Sequence, residues 1–492
     1  MVASRTLWLL LLSIVLFFFA LGNHQLQSST EPRVAGIAME MLLSDNWVTP
    51  TLSAQPFLEK PPLSVWLDAA AIRAFGAETW AVRLASAFAG LFSVLLLYGM
   101  LKRMARPVPV AWLGAFILAT MASFWDNSRQ VGEDALLAFG VTLALLVYFQ
   151  AVNQRAKGDR SVWLWCSFAA GIAISTLSKG VLGLALPGVV IFAWLLCETL
   201  QRKRLVLTDW LRPAVFTVLG LVPLMVWLCF LYGQGGVESL KAVLWTNSVG
   251  RFSGSFREAG HYEPFYYYIA KLPEAFMPWN LLVYLGLWHF RKQLLANRHL
   301  LFFSLWLIAQ FVLLTLASSK RMVYLMSSAP AAAVIAAEYA SVLWARLNAH
   351  SGTSSTAAFV VRNQRALMTA AVALVMALYL SAAVWLVPQE DRQFSFLPLT
   401  DRVHALQAEG HHVALFQPSE RLSGASAFYT RSLLDAFDTD ASVNAFLMSD
   451  PGNIAIMERT YGPALPLKAV ADVKIGSRHY YFVSYEAPAK SN

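Results

Sequence analysis

A small set of ionisable residues stands out against an otherwise apolar sequence. Glu31 and Arg33 flank Pro32, and Glu59-Lys60 runs directly into Pro61-Pro62. Further along come Arg129 and Asp134, the isolated Lys179, His261, and the pair Lys320-Arg321. Charges at membrane depth are costly and tend to serve function. A lipid phosphate presents an anion at that depth, which Lys and Arg can hold. When a bond to phosphate breaks, fixed cations stabilise the charge that develops on the leaving group. An attacking hydroxyl needs a carboxylate to take its proton. Other readings stay open at this stage. Lys320 and Arg321 fit cations snorkelling at a helix end, and Arg129 with Asp134 fits an ion pair across a tight loop. Glu59-Lys60 is set apart by the two prolines, which stiffen the backbone that presents it.

These residues need a scaffold, and the composition says which kind. The chain has 492 residues, of which 57% are hydrophobic and 14% charged, against roughly 25% charged in soluble domains. Apolar runs long enough to cross a hydrocarbon core of about 30 Å are expected at 7–22, 80–101, 108–124, 134–152, 161–178, 180–197, 213–232, 279–290, 299–317, 322–345 and 366–387. The first is expected to be an uncleaved helix. Fold class is therefore a polytopic α-helical membrane protein of about 11 to 13 transmembrane helices. Cys166, Cys197 and Cys229 fall inside these runs and read as small buried hydrophobes.

Charge placement then orients the spans. Lys102, Arg103 and Arg106, then Arg155, Lys157 and Arg160, then Arg202, Lys203, Arg204 and Arg212 occupy alternate loops. Arg291, Lys292 and Arg298, and Arg346, Arg362 and Arg365, continue the series. By the positive-inside rule these loops and the N-terminus are cytoplasmic. The net charge of +9 is thereby accounted for, and no basic stripe points to nucleic acid. Two long loops, 23–79 and 233–278, are expected on the outer face. The first holds two amphipathic candidates, after Pro32 and after Pro61-Pro62, expected at the membrane surface. From Pro388 the composition is that of a soluble domain. A helix at Asp401–Ala408 and strands at 412–416, 454–457 and 480–485 predict a small extracytoplasmic α/β domain over 388–492, after a membrane domain over 1–387.

The ordered motifs carry a family resemblance. Ser29-Thr30-Glu31-Pro32-Arg33, Asn46-Trp47-Val48-Thr49-Pro50 and Glu59-Lys60-Pro61-Pro62-Leu63 come first. Arg129 and Asp134, Ser178-Lys179-Gly180 with Pro187, Gly260-His261 with Pro264-Phe265-Tyr266, and Ser319-Lys320-Arg321 with Pro330 follow in order. Over residues 5–340 the chain resembles the polyprenyl-sugar-dependent GT-C glycosyltransferases. These include the lipid A 4-amino-4-deoxy-L-arabinose transferases and, more distantly, the protein O-mannosyltransferases. The resemblance implies transfer of a sugar from undecaprenyl phosphate, without a nucleotide, to lipid A or another envelope glycan at the periplasmic face of the inner membrane. It implies catalytic roles around Glu59, Glu31 and position 30. Substrate contacts would come from Lys60, Arg33, Lys179, His261, Lys320, Arg321, Arg129 and Asp134. It also implies a divalent cation shared by Glu59 and His261. The chain departs from the family where Thr30 replaces an acidic residue, because an alcohol is no general base near neutral pH. Glu59, beside Lys60, is then the first candidate base and Glu31 the second. Two other readings share this architecture in part: a protein O-glycosyltransferase, and a lipid-binding or transport protein without catalysis. A transporter would set its charges near mid-membrane in repeated halves, whereas here they gather in the expected outer loops.

Overall fold

A computed structural model describes residues 2–27, 30–156, 161–256, 261–458 and 467–485. Ser29 and Gly260 of the motifs, and Lys157 and Arg160 of the charge series, lie outside the described residues. The helices run α1 Val2–Phe18, α2 Thr30–Ser44, α3 Leu63–Phe75, α4 Thr79–Arg103, α5 Val108–Ala119, α6 Ala122–Asn127, α7 Asp134–Ala156, α8 Val162–Arg202 and α9 Leu207–Lys241. Beyond these come Tyr267–Ala275, Asn280–Phe290, Arg298–Leu316, Ala329–Ala349 and Gln364–Ser381, before the tail.

Seven helical stretches among the described residues are long and apolar enough to cross a membrane, so this is a multi-pass membrane protein. The eleven expected spans map onto the helices unevenly. The spans at 161–178 and 180–197 are two arms of the single stretch α8, broken at Lys179 (φ −144°, ψ 26°) and Gly180 (φ 55°, ψ −127°). The break is a reversal and not a bend. A Cβ on Gly183 would lie 2.0 Å from the Ser175 carbonyl oxygen, an approach that residues eight apart on a straight helix, about 12 Å along its axis, could not make. Three expected spans fall on helices too short by themselves for a full crossing: Arg5–Phe18, Val108–Ala119 and Asn280–Phe290.

Contacts divide the chain into two units, and the division does not follow composition. One unit comprises Met1–Phe19, Leu58–Leu63 and Ala85–Leu380; the other comprises Ala20–Phe57, Ser64–Leu84 and Ser381–Asn492. In the first unit, α7 and α8 pack through small residues. A Cβ on Gly140 would sit 2.6 Å from the Ser175 nitrogen, and one on Gly171 would sit 2.6 Å from the Ala144 nitrogen. Small side chains at such crossings let backbones approach where no hydrophobic force draws helices together. Gly220 of α9 meets α8 in the same way at the Ala169 carbonyl, 2.6 Å from a Cβ. The region expected as an outer loop at 233–278 is instead helical as far as Ser253, through α9 with a break at Gly236 (φ 63°) and a π-helical stretch Ala242–Gly250.

The second unit joins most of loop 23–79 to the C-terminal tail. α2 does not lie on a membrane surface as expected. Most of its residues from Glu31 to Met41 are buried, and it crosses the helix Glu420–Thr430 so closely that a Cβ on Gly36 would fall 2.2 Å from the Gly424 Cα. The tail sheet has the order β4-β3-β5-β7-β6, from β3 His412–Phe416, β4 Ala436–Phe437, β5 Asn453–Met457, β6 Leu467–Ile475 and β7 Arg478–Tyr485. β3 pairs parallel with β4 and β5, while β7 runs antiparallel to β5 and β6. A two-stranded hairpin, β1 Thr51–Leu52 with β2 Gln55–Pro56, is held to α2 by Glu40, whose carboxylate accepts from Thr51 Oγ1 and the Ser53 and Ala54 N–H groups.

Candidate active site

In the first unit the reversal of α8 decides where the chemistry sits. Lys179 occupies the turn, buried, with its ammonium donating to Asp134 Oδ1 and lying 3.4 Å from Glu133 Oε1. The Tyr324 ring lies 4.5 Å beneath it. Glu133 and Asp134 are adjacent at the start of α7, so the glycine-mediated packing of α7 on α8 carries both carboxylates to this turn.

The rigid segment Glu59-Lys60-Pro61-Pro62 enters the same place. Lys60 pairs with the same Glu133 oxygen that faces Lys179, and its own neighbour Glu59 Oε2 is 3.5 Å away. Arg251 donates to Glu59 Oε1, and its Nε lies 3.3 Å from Asn247 Oδ1. Asn247 in turn donates to the Leu58 carbonyl at 3.2 Å, fixing the strand-like entry to the segment. Pro61 Cγ would stand 3.6 Å from a Cβ at Gly180, so the proline stack touches the turn. Three carboxylates and three cations thus converge: Glu59, Glu133 and Asp134 with Lys60, Lys179 and Arg251. One Glu133 oxygen serves two lysines. An anion entering here finds cations already gathered.

An apolar cavity of about 540 Å³ begins at Gly180 and runs between α8 and α9 past Leu184, Leu224, Leu228 and Tyr232. It places a lipid-compatible groove directly beside the charged cluster.

Of the other expected site residues, Arg321 lies within electrostatic reach of Lys179, and the partners of the rest are as follows. Asp134 takes Lys179, and Arg129 donates to the Leu16 carbonyl at 3.0 Å and covers the Trp125 ring; the expected Arg129–Asp134 bridge gives way to these partners because α7 turns Asp134 toward α8. Lys320 is buried and donates to the Glu263 and Ala317 carbonyls. Desolvation pulls its ammonium below the usual lysine range, with Glu263 opposing. Arg321 flanks it, its backbone bonded to the Tyr268 hydroxyl. His261 is exposed with a left-handed backbone (φ 60°), and its carbonyl accepts from the Lys320 N–H.

The cation expected between Glu59 and His261 is not supported by the donors present. Glu59 faces Arg251 and Lys60, and among the described residues no three His, Cys, Asp or Glu side chains gather to hold a metal ion. A site whose carboxylate already opposes two cations is a poor fit for a third.

Glu31, Thr30 and Arg33 belong to the second unit. Glu31 is buried and receives Arg83 through both carboxylate oxygens, at 2.8 and 3.0 Å, together with the Gln27 N–H at 2.8 Å. Arg83 also donates to the Leu21, His24 and Gln25 carbonyls, which accounts for all five guanidinium donors. Thr30 is half-buried at the head of α2. Arg33 pairs with Glu420 at 2.8 Å and lies over the Phe57 ring.

Sequence reasoning missed Glu133, Arg251, Arg83 and Tyr324. Glu133 carried a usable signal, a second carboxylate beside Asp134 after Gly132. Arg251 carried none, because its stretch reads as loop.

Comparison with known proteins adds to this geometry. The family described as Dolichyl-phosphate-mannose-protein mannosyltransferase matches residues 6–233. An undecaprenyl phosphate-alpha-4-amino-4-deoxy-L-arabinose arabinosyl transferase of Pseudomonas aeruginosa is 28% identical over 327 residues, 65% of this chain and 57% of the relative. Its counterpart from Proteus mirabilis is 27% identical over 67% of this chain and 58% of the relative. The match therefore spans less than three fifths of the length of these curated relatives. Among solved structures, ArnT from Cupriavidus metallidurans bound to undecaprenyl phosphate has a TM-score of 0.75 at 20% identity, covering 97% of both chains. An oligosaccharyltransferase from Archaeoglobus fulgidus has a TM-score of 0.55 at 13% identity, covering 93% of this chain and 69% of its own. At those identities the likeness is one of fold.

Proposed function

We propose that this chain, whose similarities are to the aminoarabinose transferases and protein O-mannosyltransferases, is a GT-C glycosyltransferase that transfers a sugar from a polyprenyl phosphate carrier to a cell-envelope lipid or glycan. The observation that carries the reading is the meeting of the Lys60–Glu133–Lys179 cluster with the mouth of the apolar cavity at Gly180. A polyprenyl phosphate has the same two parts, an anion and a long hydrocarbon. The names of the relatives, which carry undecaprenyl phosphate, support this choice of donor.

In the reaction, the bond between the sugar's anomeric carbon and the phosphate oxygen breaks, and its electron pair leaves on the polyprenyl phosphate. Lys60 and Lys179 take that developing charge, displacing the Glu133 carboxylate they share, and Lys320 and Arg321 add to the positive field. The acceptor hydroxyl attacks the anomeric carbon, and Glu59 takes its proton. Glu59 suits this role because it stands one residue from the phosphate-binding Lys60 on a stiff backbone. Glu31 is assigned a positioning role, since a carboxylate enclosed by Arg83 and the Gln27 N–H has no oxygen turned toward a substrate. Thr30 and Arg33 lie beside it in sequence and take no step. Arg129, Asp134 and His261 are assigned to shaping the site. No step passes through a metal ion. The orientation proposed is the one the basic loops give, with the N-terminus cytoplasmic and the tail periplasmic.

The test is a proteoliposome assay with a polyprenyl phosphate sugar donor, following release of polyprenyl phosphate. Glu59→Gln should lose transfer while Glu31→Gln keeps most of it in the protein that remains folded. Full transfer by Glu59→Gln would remove Glu59 as the base. Mass spectrometry of lipid A and envelope glycans from a deletion strain identifies the acceptor; sugar missing from an envelope protein instead would favour the protein O-glycosyltransferase reading, which the matching mannosyltransferase family keeps in view.

A further inference from the structure

The end of the first unit farthest along α8 from Lys179 holds a second collection of charges that sugar transfer does not use. From Val181 to Arg202 the second arm of α8 climbs roughly 33 Å, about one hydrocarbon thickness, so Arg202 stands at the opposite membrane boundary from the turn at Lys179. There Asp209 gathers Arg155 at 2.9 Å and Arg202 at 3.0 Å, and Glu198 gathers Arg202 at 2.5 Å and Arg298 at 3.2 Å. Arg155 also reaches Thr208 Oγ1 at 3.1 Å. With Lys203, Arg204 and Arg212 close in sequence, six cations accompany two carboxylates. The balance is strongly positive, and the side chains of Arg155, Arg202 and Arg298 remain 32 to 43% exposed.

Two further observations point to a ligand. The Tyr148 hydroxyl, fully buried on α7, has no hydrogen-bond partner among the described residues, and Asp209, Glu198 and Arg298 lie within its electrostatic range. A buried hydroxyl without a partner costs free energy unless an oxygen is supplied. Next to the charges, a cavity of about 380 Å³ opens between the second arm of α8 and the start of α9, lined by Gly188, Ile191, Phe192, Leu195, Trp210 and Val218. Trp210 ties the two features together, since it lines the cavity, stacks edge-on with Phe192 at 5.9 Å, and directly follows Asp209.

We propose that this face binds an anionic phospholipid of the leaflet opposite the sugar-transfer site. One acyl chain lies in the cavity beside Gly188, and the phosphodiester lies against Arg155 and Arg202. Charge complementarity selects the occupant. A neutral lipid would fill the groove but leave the cationic excess unanswered, whereas a basic pocket between transmembrane helices suits an acidic headgroup. The polyprenyl carrier is a poorer occupant, because its phosphate belongs at the other end of the same helix.

Gly188 provides the test. A Cβ there meets no described residue within 4 Å, so Gly188→Leu can project into the cavity without a clash at its Cβ. Native mass spectrometry of the full chain, released from detergent with phosphatidylglycerol or phosphatidylcholine added, should show phosphatidylglycerol retained about tenfold better. Gly188→Leu should abolish retention of both lipids. The double variant Arg155→Gln, Arg202→Gln should remove the preference for phosphatidylglycerol. Sugar transfer, assayed separately from polyprenyl phosphate donor, should persist in Gly188→Leu. Equal retention of the two lipids, or unchanged retention by Gly188→Leu, would overturn the proposal. So would loss of polyprenyl phosphate binding in Gly188→Leu with phosphatidylglycerol unaffected, which would give the cavity to the carrier's tail. Failure of sugar transfer in every form, with lipid selectivity intact, would count against the proposed function and leave this site standing.

Discussion

The two units each bury a charged network, and the networks are built on opposite principles. In the second unit Glu31 and Arg83 form a closed set: five guanidinium donors meet two carboxylate oxygens and three backbone carbonyls. In the first unit the groups share partners. One Glu133 oxygen faces both Lys60 and Lys179, Glu59 faces Lys60 and Arg251, and an apolar cavity adjoins the turn. A closed set has its minimum with the partners it already has. A shared set can exchange one anion for another at modest cost, since the cations stay solvated by the remaining carboxylates. Structure is the use of the first arrangement and chemistry the use of the second.

The comparison breaks most visibly at Arg83. Arg83→Met should leave the Glu31 carboxylate and three carbonyls buried without their donor, at a cost of about 3–5 kcal/mol. A large drop in the thermal midpoint of the purified protein is expected. An unchanged midpoint with lost transfer would mean that the pair serves catalysis after all.

Lys60→Ala should do the reverse. Removing one of two cations at the phosphate should slow transfer on the order of 10²–10³-fold, while the thermal midpoint hardly moves, because the Lys60 side chain is partly exposed and Lys179 still holds Glu133. Lys60→Arg should recover part of the rate, as a planar fork replaces a point charge imperfectly. Near-normal turnover by Lys60→Ala would dismiss the phosphate assignment.

Gly180→Ala probes the turn that joins cluster to cavity. No neighbour blocks the added methyl, with Pro61 at 3.6 Å, so the cost is torsional: a side chain forced to φ 55°, ψ −127°, about 1–3 kcal/mol. Stability and transfer should fall together, read by thermal midpoint and assay; a change in neither would show that the turn is not strained by a side chain.

The smallest effect is expected at position 30. Thr30→Asp places an anion at the head of α2, where the helix dipole favours it by about 0.3–1 kcal/mol. The thermal midpoint should rise slightly and transfer should not change. A native protein that is inert until Thr30→Asp restores transfer would overturn the proposed function.

Length and apolar runs were enough to read a membrane-embedded helical chain, because the cost of exposing backbone and charge to hydrocarbon acts residue by residue, while the GT-C reading rested on the resemblance carried by motif order. Equally legible were Glu59-Lys60-Pro61-Pro62, whose stiffness is local, and the short strand-like segments that mark β3, β5 and β7. What the sequence could not state was which charge meets which. Glu133 matters because Gly140 and Gly171 allow α7 to approach α8, and Lys179 reaches it because α8 reverses at Gly180. Glu31 looked like a second base, but Arg83, fifty-two positions away, encloses it. α2 looked like a surface helix until Gly36 met Gly424. Local patterns report how a residue prefers to be solvated. Partnership between residues far apart in the chain depends on backbones coming within reach, and only the packed structure decides that.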